Sequence, residues 1–198
     1  MRCLVVDNGS LTTHLIARRA ERLGWRATVV PHRRSPLQIE PDAWDAVVLS
    51  GTEVPVTTGR FDRQLEPLAV CPVPLLGICG GLHLIARAHG VGLAEQEPVV
   101  GRTEVWLAPG APLFAGLPST MQLFQRHRYR LERVPPGFVR IAGSRSCPTE
   151  AIAHSSRPLF GIQGHVELRA DGERILRRFF ALSAATSAGR SREEQIHA

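Results

Sequence analysis

A short apolar run, Val73-Pro74-Leu75-Leu76, leads straight into Gly77-Ile78-Cys79-Gly80-Gly81. A buried strand that ends in Gly-x-Cys-x-Gly and opens a helix, here over residues 82–88, has the form of a nucleophile elbow. The flanking glycines let the backbone turn sharply enough to lift one side chain above a sheet. A thiol in that place stands at a helix N-terminus, where the partial positive charge favours the thiolate. The plainer alternative for the same residues is a small-residue turn around a buried, inert cysteine.

A nucleophile needs a base, and the base needs a group that holds its tautomer. Leu159-Phe160-Gly161-Ile162-Gln163 reads as a buried strand, with His165 and Glu167 following at its end. Two residues apart in extended chain, these side chains point the same way, so the carboxylate can orient the imidazole. Open parallel sheets carry reactive residues at the carboxyl ends of their strands, and both segments obey that rule. A surface histidine beside a glutamate is common. The joint pattern is much rarer than either half.

The stretch Gly77 to Ala86, together with Gln163-Gly164-His165-Val166-Glu167, resembles the class I (triad) glutamine amidotransferases. Val5-Val6-Asp7-Asn8-Gly9 through Thr13-His14-Leu15-Ile16 is similar to the opening of the glutamine amidotransferase subunits of GMP synthases. So are Leu49-Ser50-Gly51, Val134-Pro135-Pro136-Gly137-Phe138 and Ser146-Cys147-Pro148. The resemblance runs from about residue 2 to 182. It implies an α/β, flavodoxin-like fold with a central, mainly parallel sheet flanked by helices and a small antiparallel patch.

Composition agrees with one soluble domain. At 198 residues and 43% hydrophobic the chain can bury a full core, with no second composition zone. No apolar run is long enough to span a bilayer, and the apolar N-terminal stretch stops too early for a signal peptide. Cys3, Cys71, Cys79 and Cys147 lie far apart without a CxxC pair, which argues against zinc and against a disulfide framework. A reducing cytoplasm is the natural setting for such thiols. The net charge of +6 comes from 24 arginines and no lysine, scattered rather than gathered in a tail. Codon preference explains that better than nucleic-acid binding does. One cluster stands out: on a strand, Arg126, Arg128 and Arg130 share one face, with His127, Tyr129 and Leu131 on the other. It reads as a solvated face or as a docking surface for an acidic partner.

The pattern along the chain predicts strands over 3–6, 27–30 and 46–49, with a helix over 11–23 between the first two. A helix ending at Leu68 precedes the elbow. From Val99 to about Phe160 short strands follow, including 103–107, 121–131 and 139–142. The last helix is expected over 172–182, with residues 1–183 as a single domain and 184–198 as a frayed, disordered tail.

The chemistry that the resemblance implies needs no cofactor and no metal. Cys79 attacks the side-chain amide of glutamine, His165 protonates departing ammonia and then activates water, and Glu167 holds the ring. The N–H groups of Thr52 and Gly80 form the oxyanion hole, and Gly51, His83, Arg128 and Tyr129 line the substrate. Several positions depart from the family pattern. Thr52 replaces a usual glycine and His83 a usual glutamine that contacts substrate. Gly164 and Val166 replace Phe and Pro, which is expected to leave a hole beside His165 and to free its linkage to Glu167. Three readings follow. The first is a glutaminase subunit passing ammonia to a separate synthetase, with GMP synthase-like chemistry as one option for the acceptor. The others are a γ-glutamyl amide or peptide hydrolase of the same fold, and a non-catalytic binding relative.

Overall fold

The computed structural model describes residues 1–33, 39 and 42–197, with 191–197 described by backbone alone. In chain order its elements are β1 (Arg2–Asp7), α1 (Thr13–Arg22), β2 (Arg26–Pro31), β3 (Ala46–Leu49), α2 (Asp62–Ala69), β4 (Leu75–Ile78) and α3 (Gly80–Ala88). Then come β5 (Leu93–Leu107), a short 3-10 turn (Pro112–Phe114), β6 (Thr120–Leu131), β7 (Phe138–Gly143), β8 (Ala151–His154), β9 (Leu159–Ile162) and α4 (Ala170–His197). The strands form one sheet in the order β2-β1-β3-β4-β9-β8-β7-β5-β6. From β2 to β9 neighbours run parallel, and from β9 to β6 they run antiparallel.

Within the parallel half β1, β3, β4 and β9 are buried on both faces, and their sequence shows why. On β1, Cys3 and Val5 join a core with Ile16 and Ala20 of α1 and Phe179 and Phe180 of α4. Leu4 and Val6, pointing the other way, join Leu68 of α2 and Leu82 and Ile85 of α3. A strand with two dry faces has no polar alternation, so β1, β3, β4 and β9 are near-continuous apolar runs. The α/β architecture with its flanking helices is the expected one. The carboxyl ends of β1, β3, β4 and β9 open on a common edge.

Three boundaries differ from expectation. Helix α1 starts at Thr13 rather than Leu11, whose side chain is 72% exposed. The strands expected over 121–131 and 139–142 are β6 and β7, but the one expected over 103–107 is only the end of a long β5, paired with β6 from Leu93↔Leu131 to Trp106↔Thr120 with a register shift between Glu95 and Val99. No residue of β5 before Val105 is buried, so its outer part lacked the apolar signal of a core strand. Helix α4 continues past its expected end at Leu182 to His197; Ala198 lies outside the described residues. Ala184, Ala185, Ala188 and Arg190 are strong helix formers. Ser183 and Thr186 keep their hydroxyls occupied on the Phe179 and Leu182 carbonyls at 2.9 and 3.0 Å.

Candidate active site

Cys79 sits between β4 and α3 with φ 50° and ψ −107°, the single positive-φ residue other than glycine among the described residues. A backbone so far from the ordinary wells costs on the order of 1–3 kcal/mol and persists where packing forces it. Close approach does the forcing. A Cβ on Gly77 would lie 2.5 Å from the Gly81 backbone, and one on Gly81 would lie 2.6 Å from the Leu49 carbonyl oxygen. Only glycine fits at either position, and the elbow follows.

Strand pairing supplies the neighbours. Ile78 lies opposite Ile162, so the residues after β4 and β9 leave the sheet side by side. The Cys79 N–H donates to the Ile162 carbonyl at 2.8 Å, and the His165 N–H donates to the Phe124 carbonyl at 2.8 Å. His165 Nδ1 donates to Glu167 Oε1 at 2.8 Å. The pairing arises in a turn, with the Leu168 N–H on the His165 carbonyl, and not in the extended chain that the spacing suggested. Thr12 Oγ1 donates to the same carboxylate oxygen at 2.6 Å, and Arg19 Nε donates to the Glu167 carbonyl at 2.7 Å. Glu167 is wholly buried and tied to α1 at both ends.

Burial alone would lower the pKa of His165. Hydrogen bonds to Cys79 and Glu167, with their negative charge, outweigh it and raise the value to about 10. The ring is therefore an imidazolium at neutral pH, paired to the thiol side on one edge and to a carboxylate on the other. Two nearby imidazoles behave oppositely. Burial pushes His83 down to about 4, against its hydrogen bond to Gln163, and burial lowers His127 as well. The remaining thiols are held protonated by desolvation, Cys71 at about 11, Cys147 at about 12 and Cys3 higher still.

A cleft of about 370 Å³ opens over Cys79 and His165. Gly51, expected to line the substrate, is not among the cleft residues but packs beside them: a Cβ there would lie 3.4 Å from His165 Cε1 and 3.6 Å from the Cys79 Cβ. Thr52 and Gly80 face one another, since a Cβ on Gly80 would lie 3.0 Å from Thr52 N and 2.5 Å from its Cγ2. The Thr52 hydroxyl bonds the Val54 carbonyl and N–H at 3.0 and 3.1 Å, which pins the loop after β3. Gly80→Ala is therefore expected to displace the Thr52 N–H and cut turnover on glutamine by about 10²–10³-fold. Thr52→Ser, which removes Cγ2, should restore part of that loss in the double variant. Steady-state kinetics of the three variants decides it; strict additivity would contradict the close approach.

Of the expected substrate contacts, His83, Arg128 and Tyr129 all reach the cleft. His83 lies almost wholly buried with Nε2 2.9 Å from Gln163 Oε1. The Arg128 guanidinium turns outward to Glu95, and the Tyr129 carbonyl meets His127 Nδ1 at 3.1 Å. The hole expected beside His165 is filled: a Cβ on Gly164 would lie 2.9 Å from the Leu123 Cβ. The linkage is not freed either, because Val166 is fully buried and its backbone packs against Gly172 at the start of α4. Sequence reasoning gave no role to Thr12 or Gln163. The signal available was position, since both follow the carboxyl end of a parallel strand.

Sheet order and flanking helices define an α/β protein that gathers a thiol, an imidazole and a carboxylate at the carboxyl ends of its parallel strands. The family model for glutamine amidotransferase class-I matches residues 4–182. The glutamine-hydrolyzing GMP synthase subunit of Thermococcus kodakarensis is 32% identical over 183 residues, 90% of this chain and 97% of the relative. Its counterpart in Methanopyrus kandleri is 34% identical over 183 residues, again 90% and 97%. A solved structure from Thermoplasma acidophilum, described as the corresponding GMP synthase protein, superposes with TM-score 0.86 at 28% identity, covering 96% of this chain and 98% of that one. The chain belongs to the class I glutamine amidotransferases, a glutamine-hydrolysing enzyme family.

Proposed function

We propose that this chain is the glutaminase component of a two-subunit, GMP synthase-like enzyme of the cytoplasm. The observation that carries the reading is Cys79 on its positive-φ elbow beside a His165 ring bound by Glu167. The thiolate adds to the side-chain amide carbon of glutamine, and the oxyanion forms against the N–H groups of Thr52 and Gly80. The His165 imidazolium gives its proton to the departing nitrogen, ammonia leaves, and a thioester remains. Now neutral, His165 takes a proton from water, whose oxygen attacks the thioester; the C–S bond breaks, glutamate is released and the thiolate is regenerated. Relatives that this chain covers almost end to end are named as one subunit of GMP synthase, which supports a separate synthetase as the ammonia acceptor.

The arginine face of β6 suits docking of such a partner. Arg126 and Arg128 are exposed at the mouth of the cleft, where Arg126 holds Glu53 of the loop after β3 at 2.9 Å. A partner contacting that face reaches the oxyanion loop through Glu53. Glutamine hydrolysis is expected to be weak in the isolated chain and to rise when the cognate synthetase is added. Charge reversal at Arg128 and Arg130 should lower that stimulation and flatten its dependence on salt. Stimulation unchanged by the reversal would remove β6 from the interface.

One observation favours a second reading, a γ-glutamyl amide or peptide hydrolase. The cleft extends from Cys79 to Val54, Pro98 and Val100, apolar groups with nothing to match at the charged end of glutamine. The deciding assay compares glutamine with a panel of γ-glutamyl amides and dipeptides, with the synthetase present. Glutamine turnover that is negligible next to one panel member would replace the first reading by the second.

A further inference from the structure

Gln163 shares a loop with His165, and its side chain takes no part in the steps above. The pairing of Ile78 with Ile162 brings residues 79 and 163 together, and the Gln163 N–H is fixed on the Glu150 carbonyl at 2.7 Å. The side chain is wholly buried. Its Nε2 lies 3.7 Å from Cys79 Sγ, and its Oε1 lies 2.9 Å from His83 Nε2. A carboxamide has one donating and one accepting end, so whatever holds one end decides what the other presents. A ring protonated at Nε2 can only donate to Oε1, which leaves the amide N–H groups aimed at the sulfur. A hydrogen bond donated to the charged form of an acid favours that form.

We propose that His83 and Gln163 are positioning residues for the nucleophile: His83 fixes the Gln163 amide so that its N–H donates to the Cys79 thiolate. The proposal rests on Cys79 being the nucleophile. It gives His83 a role on the Gln163 amide, beside the substrate contact that the family resemblance implies. Burial holds the ring neutral, at about 4, so it has one N–H to place, which in the relay is on Gln163 Oε1 and not on the Tyr129 carbonyl that the ring also meets. His83→Gln keeps the relay intact, because a glutamine N–H can reach the same Oε1.

The test is the pH dependence of Cys79 alkylation by iodoacetamide, quantified on the Cys79 peptide by mass spectrometry, alongside glutamine kinetics. In His83→Leu and Gln163→Leu the apparent thiol pKa should rise by about one unit, slowing alkylation at neutral pH about tenfold. Gln163→Glu, of equal size, should raise it further by setting a carboxylate oxygen beside the sulfur. His83→Gln should restore the wild-type titration. Turnover should fall with the thiolate fraction while KM for glutamine changes little. A wild-type titration in folded His83→Leu or Gln163→Leu overturns the relay. Should the leucine variants not fold, a wild-type titration in Gln163→Glu overturns it equally. Full glutaminase activity in Cys79→Ala would overturn the nucleophile assignment and the relay with it, whereas a normal titration in folded variants strikes the relay alone.

Discussion

Cys79→Ala is expected to abolish glutamine hydrolysis, with kcat falling about 10⁴-fold or more, as removal of a covalent nucleophile does. Cys147→Ala should leave it near normal. The contrast follows from surroundings rather than from accessibility, since all four thiols are buried. Desolvation dominates at Cys3, Cys71 and Cys147: Arg157 and Arg130 offset it only in part at the last two, and burial keeps all three protonated. Cys79 has the His165 imidazolium, the start of α3 and the Gln163 amide around it. A glutamine-analogue diazo-ketone should accordingly label Cys79 and stop turnover. Labelling at another cysteine, with activity intact in Cys79→Ala, would refute the mechanism.

The second large effect concerns pH. His165 is raised from 6.5 to about 10 in the folded protein, so its charge stabilises the fold fully below about pH 6.5 and that contribution is lost as pH rises through about 10. Above that value the departing ammonia loses its proton donor, and kcat/KM for glutamine should fall on a basic limb near 10. Glu167→Gln removes one of the two groups that raise the value. The basic limb should move downward, and kcat should drop by about 10⁴-fold, the loss seen when a ring-orienting carboxylate is made neutral. A limb that stays in place in Glu167→Gln would mean that the carboxylate does not set the charge of the ring.

The centre of the fold could be read directly because its rules are local. Glycines at 77 and 81 encode two backbone contacts too close for any Cβ, and the runs Ala46–Leu49 and Leu75–Ile78 encode strands dry on both faces. What escaped depends on partners far along the chain. The outer ribbon of β5 and β6 satisfies its backbone by pairing while burying little, so Glu95, Glu97 and Pro98 gave no alternation to detect. The helix beyond Leu182 has propensity without a continuous apolar stripe. Thr12 acquires its role only when α1 lies against Glu167. The space beside Gly164 is closed by Leu123 of β6, which no inspection of the His165 motif could reveal. The Cys79, His165 and Glu167 row was legible as residue types, while the turn that joins the last two was not.

The β4–β9 pairing also bears on how the molecule comes into being. Cys79 and Gln163 stand 84 positions apart, and the ribbon and β7 and β8 must be spanned before they meet. Contacts of such long range form late, because closing a large loop comes before any gain from it. A newly made chain thus carries the elbow sequence with an ordinary thiol, and the sulfur gains its counter-charge only when β9 docks. Reactivity at Cys79 is for that reason expected to report on the docking of β9.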